Sequence, residues 1–333
     1  GGLRDYHSAL WATALRYGCH SLREINEAHA LSNEEIESLY HSVDFSLRVR
    51  NELHYLTERK TDVLTYDTQK QLAANLGYQS STQSQLVEEF MRDYYLHATN
   101  IYTFSQNLFE HCRQTKRSLK KVISSLTKKS VGHGFHISDS SLIYGGDAKE
   151  DFKKDKSLLL NALELCKQHQ VLPDYKLQRQ MRLSKNIINA QFMKGEEVRG
   201  FLFSILKDKS AEKILRLMHE TDILGQILPE FGLAHCKVNH DFYHHYTADE
   251  HSLRVIRFLD ELAVTGITNP TDLQALYQGY LRKGILKLSA LLQSVRTAPT
   301  DKPGEFLQSL KERLSLENTD VQALLFFLAD PYT

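Results

Sequence analysis

The longest uninterrupted helical pattern in the chain runs from Gln85 to about Leu126 and contains no proline or glycine. Apolar and aromatic side chains recur along it at steps of three and four residues: Leu86, Phe90, Tyr94, His97, Ile101, Phe104, Leu108 and Cys112. This spacing places them on one face of an α-helix. At about 1.5 Å per residue, the segment predicts a helix on the order of 60 Å long. Such a length is typical of an elongated helical bundle rather than of the crossover helices of an α/β fold.

The remaining patterns are also mostly helical. Apolar residues from Ile36 to Leu47 predict a helix over 32–57, with Ser32 or Asn33 as its N-cap. Between the glycines at 132–134 and 145–146, the segment FHISDSSLIY is compatible with period-two alternation, which predicts a small β-hairpin. Helical spacing returns after Lys156, and later helices are predicted over 250–264, 271–296, 303–314 and 318–329. We therefore expect an all-α fold with at most a small hairpin between two helical parts.

Charge and composition exclude several classes of protein. The 41 basic and 41 acidic side chains cancel, whereas a dedicated nucleic-acid binder carries excess Lys and Arg to meet phosphates. The longest apolar run, Ala323–Ala329, is far shorter than the roughly 20 residues that span a membrane. The four cysteines lie far apart without a CxxC pair, as suits a reducing compartment. We expect a cytoplasmic protein with neither a membrane nor a nucleic acid as partner.

Histidine is distributed very unevenly. None of the sixteen histidines follows position 251, and six lie between His219 and His251. Clusters of imidazole near carboxylates are used for metal binding and for acid–base catalysis near neutral pH. Spacing alone leaves two interpretations open: buried structural histidines, which we favour, or a metal site.

Several long motifs resemble one bacterial family in the family's own order. They are GGLRDYHSALW at the start, the segments 48–78 and 87–95, and MHETDILGQILPEFG followed by NHDFYHHYTADEHSLRV. Together they are similar to the PII-protein uridylyltransferase/uridylyl-removing enzyme family, strongly to about residue 258 and weakly afterwards. The resemblance implies three regions: a helical bundle at 1–130 that follows a nucleotidyltransferase domain, a hairpin with connecting helices at 131–205, and an HD-like domain at 206–333.

The resemblance implies that UMP is transferred from UTP to a tyrosine of a PII-type signalling protein. In the family, a Gly-Ser motif and paired aspartates hold Mg²⁺ on the nucleoside triphosphate. No Gly-Ser followed by Asp-x-Asp occurs in the 333 residues. We expect no catalytic residue and no cofactor in this chain, and we place Mg²⁺ and the nucleotide in a catalytic domain upstream of Gly1.

The HD-like region matches the family's hydrolase pattern only at its first position. His251 stands where the first metal ligand is expected, but Gln293 and Ser294 stand where the family has an adjacent His-Asp pair. Gln and Ser are poor ligands for a transition metal. We expect a degenerate HD domain without a metal ion. The His240-Asp241 dyad lies upstream of this pattern, and we do not expect it to be a metal site.

Four residues are candidates for approaching a nucleotide, because the bundle abuts the nucleotidyltransferase domain in the family. They are Arg4, Asp5, Arg48 and Arg50. For Arg48 and Arg50, a solvated salt-bridge surface is the alternative, and we favour it.

Two functions remain. The first, which the resemblance implies, is that the chain is the C-terminal portion of a PII-uridylyltransferase-like nucleotidyltransferase of nitrogen regulation, with an inactive HD phosphohydrolase module. Alternatively, it belongs to a non-catalytic regulatory or scaffold protein of the same family.

The missing carboxylate signature generates the first test. Incubated with Mg²⁺, labelled UTP or ATP and a PII protein, the chain by itself should leave the acceptor unlabelled, because paired carboxylates are needed to hold the metal ions. Labelling above a no-enzyme control would contradict this expectation.

Overall fold

The chain forms two units, each built around its own apolar residues. Unit 1 comprises Gly1–Leu126 and Cys236–His245, and unit 2 comprises Thr127–His235 and Tyr246–Thr333. The computed structural model describes residues 1–18, 21, 24–25, 31–114, 129–188, 195–238, 246–264, 273–293 and 303–328.

Unit 1 is organised around the predicted long helix. Its described helices are α1 (Leu3–Tyr17), α2 (Asn33–Thr57), α3 (Tyr66–Asn75) and α4 (Gln83–Gln114). The long-helix prediction is confirmed over 83–114, and its last part, to Leu126, lies outside the described residues. Helix α4 packs against each of the other three helices. Phe90, Ile101 and Leu108 on the predicted face are at most 1% exposed.

Two apolar clusters follow one another along α4. In one, Ile101 and Leu108 of α4 pack with Ala9 of α1 and Leu39 of α2. The other joins the N-terminal half of α4 to the end of α2 and to α3. The predicted cap of α2 is confirmed: the Glu35 backbone N–H donates to Ser32 Oγ, and the Ser32 N–H donates to the Glu35 carboxylate. This reciprocal capping box satisfies two backbone donors that the first turn would otherwise leave unpaired.

Unit 2 contains the other twelve described helices and the four described strands. The strands are β1 (Lys129–Gly132), β2 (Phe135–Ser138), β3 (Ser141–Tyr144) and β4 (Leu172–Pro173). The helices are α5 (Ala148–Lys154), α6 (Ser157–His169), α7 (Tyr175–Leu183), α8 (Gly195–Leu206), α9 (Ala211–Glu220), α10 (Ile223–Ile227), α11 (Pro229–Leu233), α12 (Ala248–Val264), α13 (Leu273–Gly279), α14 (Lys283–Leu292), α15 (Pro303–Leu314) and α16 (Asn318–Leu328). A 3₁₀ turn covers Lys185–Ile187. The predicted all-α class is confirmed.

The predicted hairpin is β2–β3, and it is part of a slightly larger sheet. Its strands are antiparallel, with Phe135 opposite Tyr144 and Ser138 opposite Ser141. Asp139 and Ser140 in the turn have φ values of 50° and 63°, and such two-residue turns match the right-handed twist of the strands. Strand β1 adds antiparallel to β2, and β4 adds parallel to β3. Neither flanking strand has an apolar alternation that would predict it, because β1 is mostly exposed and β4 has only two residues.

One apolar core runs from the sheet to the last helix, from Phe135 to Leu324. Helix α8, which the sequence groups with the connecting helices, packs against α14 and α15. Position 205/206 therefore does not separate two cores. A Cβ at Gly284 of α14 would lie 2.8 Å from the Phe203 ring of α8, so glycine allows this close approach.

The predicted helix at 271–296 is two helices. Helix α13 ends at Gly279 and α14 begins at Lys283. The apolar spacing continues across the break, and for this reason periodicity alone predicts a single helix.

Helices α9 and α12 pack in opposite directions, and a buried carboxylate fixes one end of the pair. Asp260 near the end of α12 accepts the Glu212 backbone N–H at the start of α9, at 2.8 Å. The ammonium of Lys287 on α14 is 1% exposed; it pairs with the other oxygen of Asp260 and donates to the Asp208 carbonyl. Burial raises the pKa of Asp260, although the Glu212 N–H and Lys287 oppose the rise.

No helix in the described part of the chain is both long enough and apolar enough to cross a membrane.

Removing the Lys287 charge should strongly destabilise unit 2. Lys287→Met leaves the Asp260 carboxylate buried without its cation, a loss that costs about 3–5 kcal/mol. A buried acid without a cation has its pKa raised further, so the variant's deficit should shrink as the pH falls and Asp260 takes up a proton. Urea unfolding at several pH values measures the deficit.

Lys213→Met is the matched control, because Lys213 lies exposed on α9. Its effect should stay within about 0.5 kcal/mol. Equal effects of the two substitutions would show that the buried pair is not specifically stabilising.

Candidate functional site

Unit 1 contains a cleft of about 520 Å³ that is lined by three of the four residues predicted to approach a nucleotide. Arg4 and Asp5 come from the first turn of α1, and Arg50 comes from α2. The volume lies within the usual range of small-molecule sites. Arg48 does not line this cleft. It lines a second cavity of about 240 Å³ with Tyr78, Asp93 and other residues.

The Arg50 guanidinium in the cleft is held by an exposed carboxylate. Arg50 Nε lies 3.0 Å from Asp62 Oδ1, and a terminal nitrogen donates to Asp62 Oδ2 at 3.4 Å. The two side chains are 44% and 71% exposed. An ion pair this exposed contributes at most about 1 kcal/mol, so Arg50 can exchange Asp62 for another anion at little cost.

Asp5 and Arg4 differ in their interactions with the rest of the chain. The Asp5 carboxylate accepts the Gly2 backbone N–H at 2.8 Å and so caps the start of α1. Arg4 is exposed and has no ion pair with a described residue. Arg4 is thus available to a ligand, whereas Asp5 serves first as a helix cap.

The aromatic wall of the cleft was not predicted. Trp11 is the chain's single tryptophan, and it is 67% exposed at the cleft. The His7 ring lies nearly parallel to it, with ring centroids 6.4 Å apart and an interplanar angle of 22°. The sequence shows only that Trp11 follows His7 by four residues. The cleft that this pair lines exists only once the neighbouring chain is folded.

The smaller cavity beside Arg48 has a different character. The Tyr78 hydroxyl donates to Asp93 at 2.7 Å. Burial is the main cause that raises the pKa of Tyr78 well above its usual range, and this hydrogen bond is the second cause. Burial lowers the pKa of His97, whose ring stacks on Phe45 with centroids 4.3 Å apart. The Phe45–His97 stack stabilises the packing of α2 against α4, and the Tyr78–Asp93 hydrogen bond joins the segment after α3 to α4.

Two of the predicted HD positions, His251 and Gln293, belong to helices of unit 2 that pack together. His251 is half-buried in the first turn of α12, and Gln293 is the exposed residue that ends α14. Ser294 and the His240-Asp241 dyad lie outside the described residues.

The structure brings together a different set of histidines. His219 Nε2 at the end of α9 lies 3.0 Å from Asp249 Oδ2, and His235 Nδ1 lies 3.2 Å from the same oxygen. Within the described ranges, these three residues are the one group of at least three potential ligands whose ligand atoms all lie within 4.8 Å of one another. All three residues lie within the histidine-rich segment 219–251, but the sequence pattern did not indicate this trio.

Asp249 is a buried anion that the fold stabilises. Its side chain is 5% exposed. Burial by itself raises the pKa of this carboxyl, but the hydrogen bonds from His219, His235 and Thr247 outweigh burial and hold the pKa well below its usual range. Asp249 is therefore ionised near neutral pH.

Two family models match the chain in the regions that form the cleft and the start of unit 2's helical core. One, described as GlnD PII-uridylyltransferase, matches residues 1–109; the other, described as the third domain of uridylyltransferase GlnD, matches residues 146–227. Both are regions of uridylyltransferases, and together they cover more than half of the sequence. The chain belongs to the GlnD PII-uridylyltransferase family.

Curated relatives agree with these matches. The bifunctional uridylyltransferase/uridylyl-removing enzyme of a Bradyrhizobium species is 28% identical over an alignment that covers 100% of this chain and 37% of the relative. The enzymes of the same name from Nitrobacter hamburgensis and Pseudomonas putida are each 29% identical, over 79% and 85% of this chain and 29% and 31% of the relatives. The aligned part of the chain thus spans 29–37% of the length of these relatives. No solved structure matches the chain.

The composition of the HD positions generates a test of hydrolysis. With added Mn²⁺, the chain should release no UMP from uridylylated PII, because His251 has Gln and Ser where the family has a His-Asp pair. UMP release is measured by chromatography against a no-enzyme blank. Release that disappears in a His251→Ala variant would show a working hydrolase.

Proposed function

We propose that the chain is the helical and HD-like portion of a cytoplasmic PII-uridylyltransferase-like nucleotidyltransferase that modifies a PII-type signalling protein in nitrogen regulation. The observation that carries this proposal is family membership, supported by matches over 1–109 and 146–227. The carboxylates that hold Mg²⁺ on the nucleoside triphosphate belong to a catalytic region outside these residues, since their signature is missing here. The HD module is inactive, because Gln293 and Ser294 replace its metal ligands.

Within this proposal, the cleft of unit 1 faces the nucleotide. Arg4 and Arg50 offer guanidinium groups, which suit phosphate oxygens. Trp11 offers an exposed aromatic face, and stacking of a base on such a face contributes about 1–3 kcal/mol. Phosphate and base recognition thus occur in one cleft of suitable volume.

Asp62 opposes anion binding in this cleft. Its carboxylate forms an ion pair with Arg50 and would repel a phosphate that approaches the same guanidinium. Because the pair is exposed, its loss is a small penalty beside a new charge-assisted hydrogen bond of about 1.5–3 kcal/mol. A nucleotide phosphate would therefore displace Asp62 from Arg50.

Nucleotide binding in the cleft can be measured by intrinsic tryptophan fluorescence, because Trp11 is the chain's single tryptophan and lines the cleft. UTP, with and without Mg²⁺, should quench this fluorescence saturably. Arg50→Ala should weaken the Kd about tenfold, equivalent to about 1.4 kcal/mol. Asp62→Asn should tighten binding by up to about fivefold, because it releases Arg50.

Arg257→Ala is the control, since Arg257 is an exposed arginine of unit 2 that pairs with Glu261. It should leave the Kd unchanged. Quenching that does not saturate, or equal Kd values for Arg50→Ala and the parent chain, would contradict a nucleotide-facing cleft.

The transferase itself is tested on the full-length gene product with labelled UTP, Mg²⁺ and a PII protein. Labelling of PII supports the proposal. A product that binds PII without labelling it would instead establish the regulatory or scaffold alternative.

A further inference from the structure

Three parts of unit 2 meet at the ends of helices α9, α11 and α12. Helix α9 brings His219 there, the segment after α11 brings His235, and the first turn of α12 brings Asp249. His219 and His235 meet edge to face, with ring centroids 4.9 Å apart, and the Phe231 ring packs across His219 with centroids 5.3 Å apart. The two imidazoles are therefore fixed by packing as well as by Asp249.

The polar atoms of the trio point toward one another. Asp249 Oδ2 lies 3.0 Å from His219 Nε2 and 3.2 Å from His235 Nδ1. Protein ligands of one metal ion lie about 2.0–2.2 Å from it, so neighbouring ligand atoms are normally about 3–4 Å apart. Two of the three separations already have this size, and the third atom pair lies within 4.8 Å.

A cation would replace two protons at this point. A carboxylate only accepts hydrogen bonds, so both ring nitrogens that face ionised Asp249 carry protons in the metal-free arrangement. A neutral imidazole can move its proton to its other nitrogen, which leaves a lone pair in place of the N–H. The same three atoms then present two imidazole nitrogens and one carboxylate oxygen to a metal.

The chemistry of this set selects the class of metal. Two imidazoles and one carboxylate favour divalent transition metals such as Zn²⁺, Mn²⁺ and Fe²⁺, whereas Mg²⁺ and Ca²⁺ prefer oxygen ligands alone. The His235 side chain is 30% exposed and the His219 side chain 17%. An ion can thus enter, and water can fill the positions that three protein ligands leave open.

The geometry points to a metal site that the HD pattern does not include: we propose that His219, His235 and Asp249 bind one divalent transition-metal ion, such as Zn²⁺. The ion joins the end of α9, the segment after α11 and the start of α12, and so stabilises unit 2. It does not use His251, Gln293 or Ser294. It departs from our sequence-based expectation of a chain without metal ligands.

Metal content and affinity test the site directly. The 333-residue chain, loaded with Zn²⁺ and desalted, should retain about one equivalent by elemental analysis and should unfold at a higher temperature than the metal-free chain. Loss of a ligand should weaken the Zn²⁺ Kd by at least about 100-fold, since loss of a supporting group alone costs 10–100-fold.

The decisive variants keep a hydrogen bond to Asp249 but replace an imidazole ligand of the metal. Gln in His219→Gln and Asn in His235→Asn still offer an amide N–H to Asp249, but amides are poor transition-metal ligands. Each variant should fold as the metal-free parent does, by circular dichroism, and neither should retain Zn²⁺ or gain stability from it. The matched control is His251→Gln, which changes a histidine two residues from Asp249 and should retain the full equivalent.

Three results would overturn the proposal. They are a parent chain that retains no Zn²⁺, a His219→Gln variant that retains as much as the parent, and loss of the metal in His251→Gln. The last would assign the ion to the HD position instead. Should His219→Gln fail to fold, His235→Asn gives the same discrimination at the more exposed ligand.

Discussion

The antiparallel pair of helices α9 and α12 is the constraint on which the centre of unit 2 depends. Each end of α12 carries a buried carboxylate, Asp249 or Asp260, and each must be compensated because an unpaired buried charge is very costly. Asp260 accepts the Glu212 N–H and pairs with Lys287, whereas Asp249 accepts hydrogen bonds from two imidazoles. A shift of α12 along α9 would break both sets together.

Between the two ends, charged side chains determine the same register. Arg216 in the middle of α9 donates to Glu250 of α12 at 2.8 Å and also to Glu212 of its own helix. Apolar burial brings these helices together, but apolar contacts alone tolerate sliding, whereas directional pairs do not. The position of His219 opposite Asp249 is therefore a consequence of the whole helix pair and not of local sequence.

This dependence explains what the sequence could and could not predict. Periodicity predicts α4 well, because Phe90, Ile101 and Leu108 repeat without interruption, and the Ser32–Glu35 pair predicts the start of α2. Periodicity does not separate α13 from α14, since apolar spacing continues through the break. The cleft was partly predictable: Arg4, Asp5 and Arg50 followed from a family resemblance, but Trp11 and Asp62 join them only when α1 and the segment after α2 fold against α2. The histidine trio joins residues 16 and 14 positions apart, a separation that corresponds to no local periodicity.

The most direct measurement of the central claim, that the α9–α12 pair builds a metal site apart from the HD positions, is anomalous diffraction from a Zn²⁺-soaked crystal of the chain. We expect one strong anomalous peak about 2.0–2.2 Å from His219 Nε2, His235 Nδ1 and an Asp249 oxygen. A peak bound by His251, or no peak within reach of these three side chains, would contradict it.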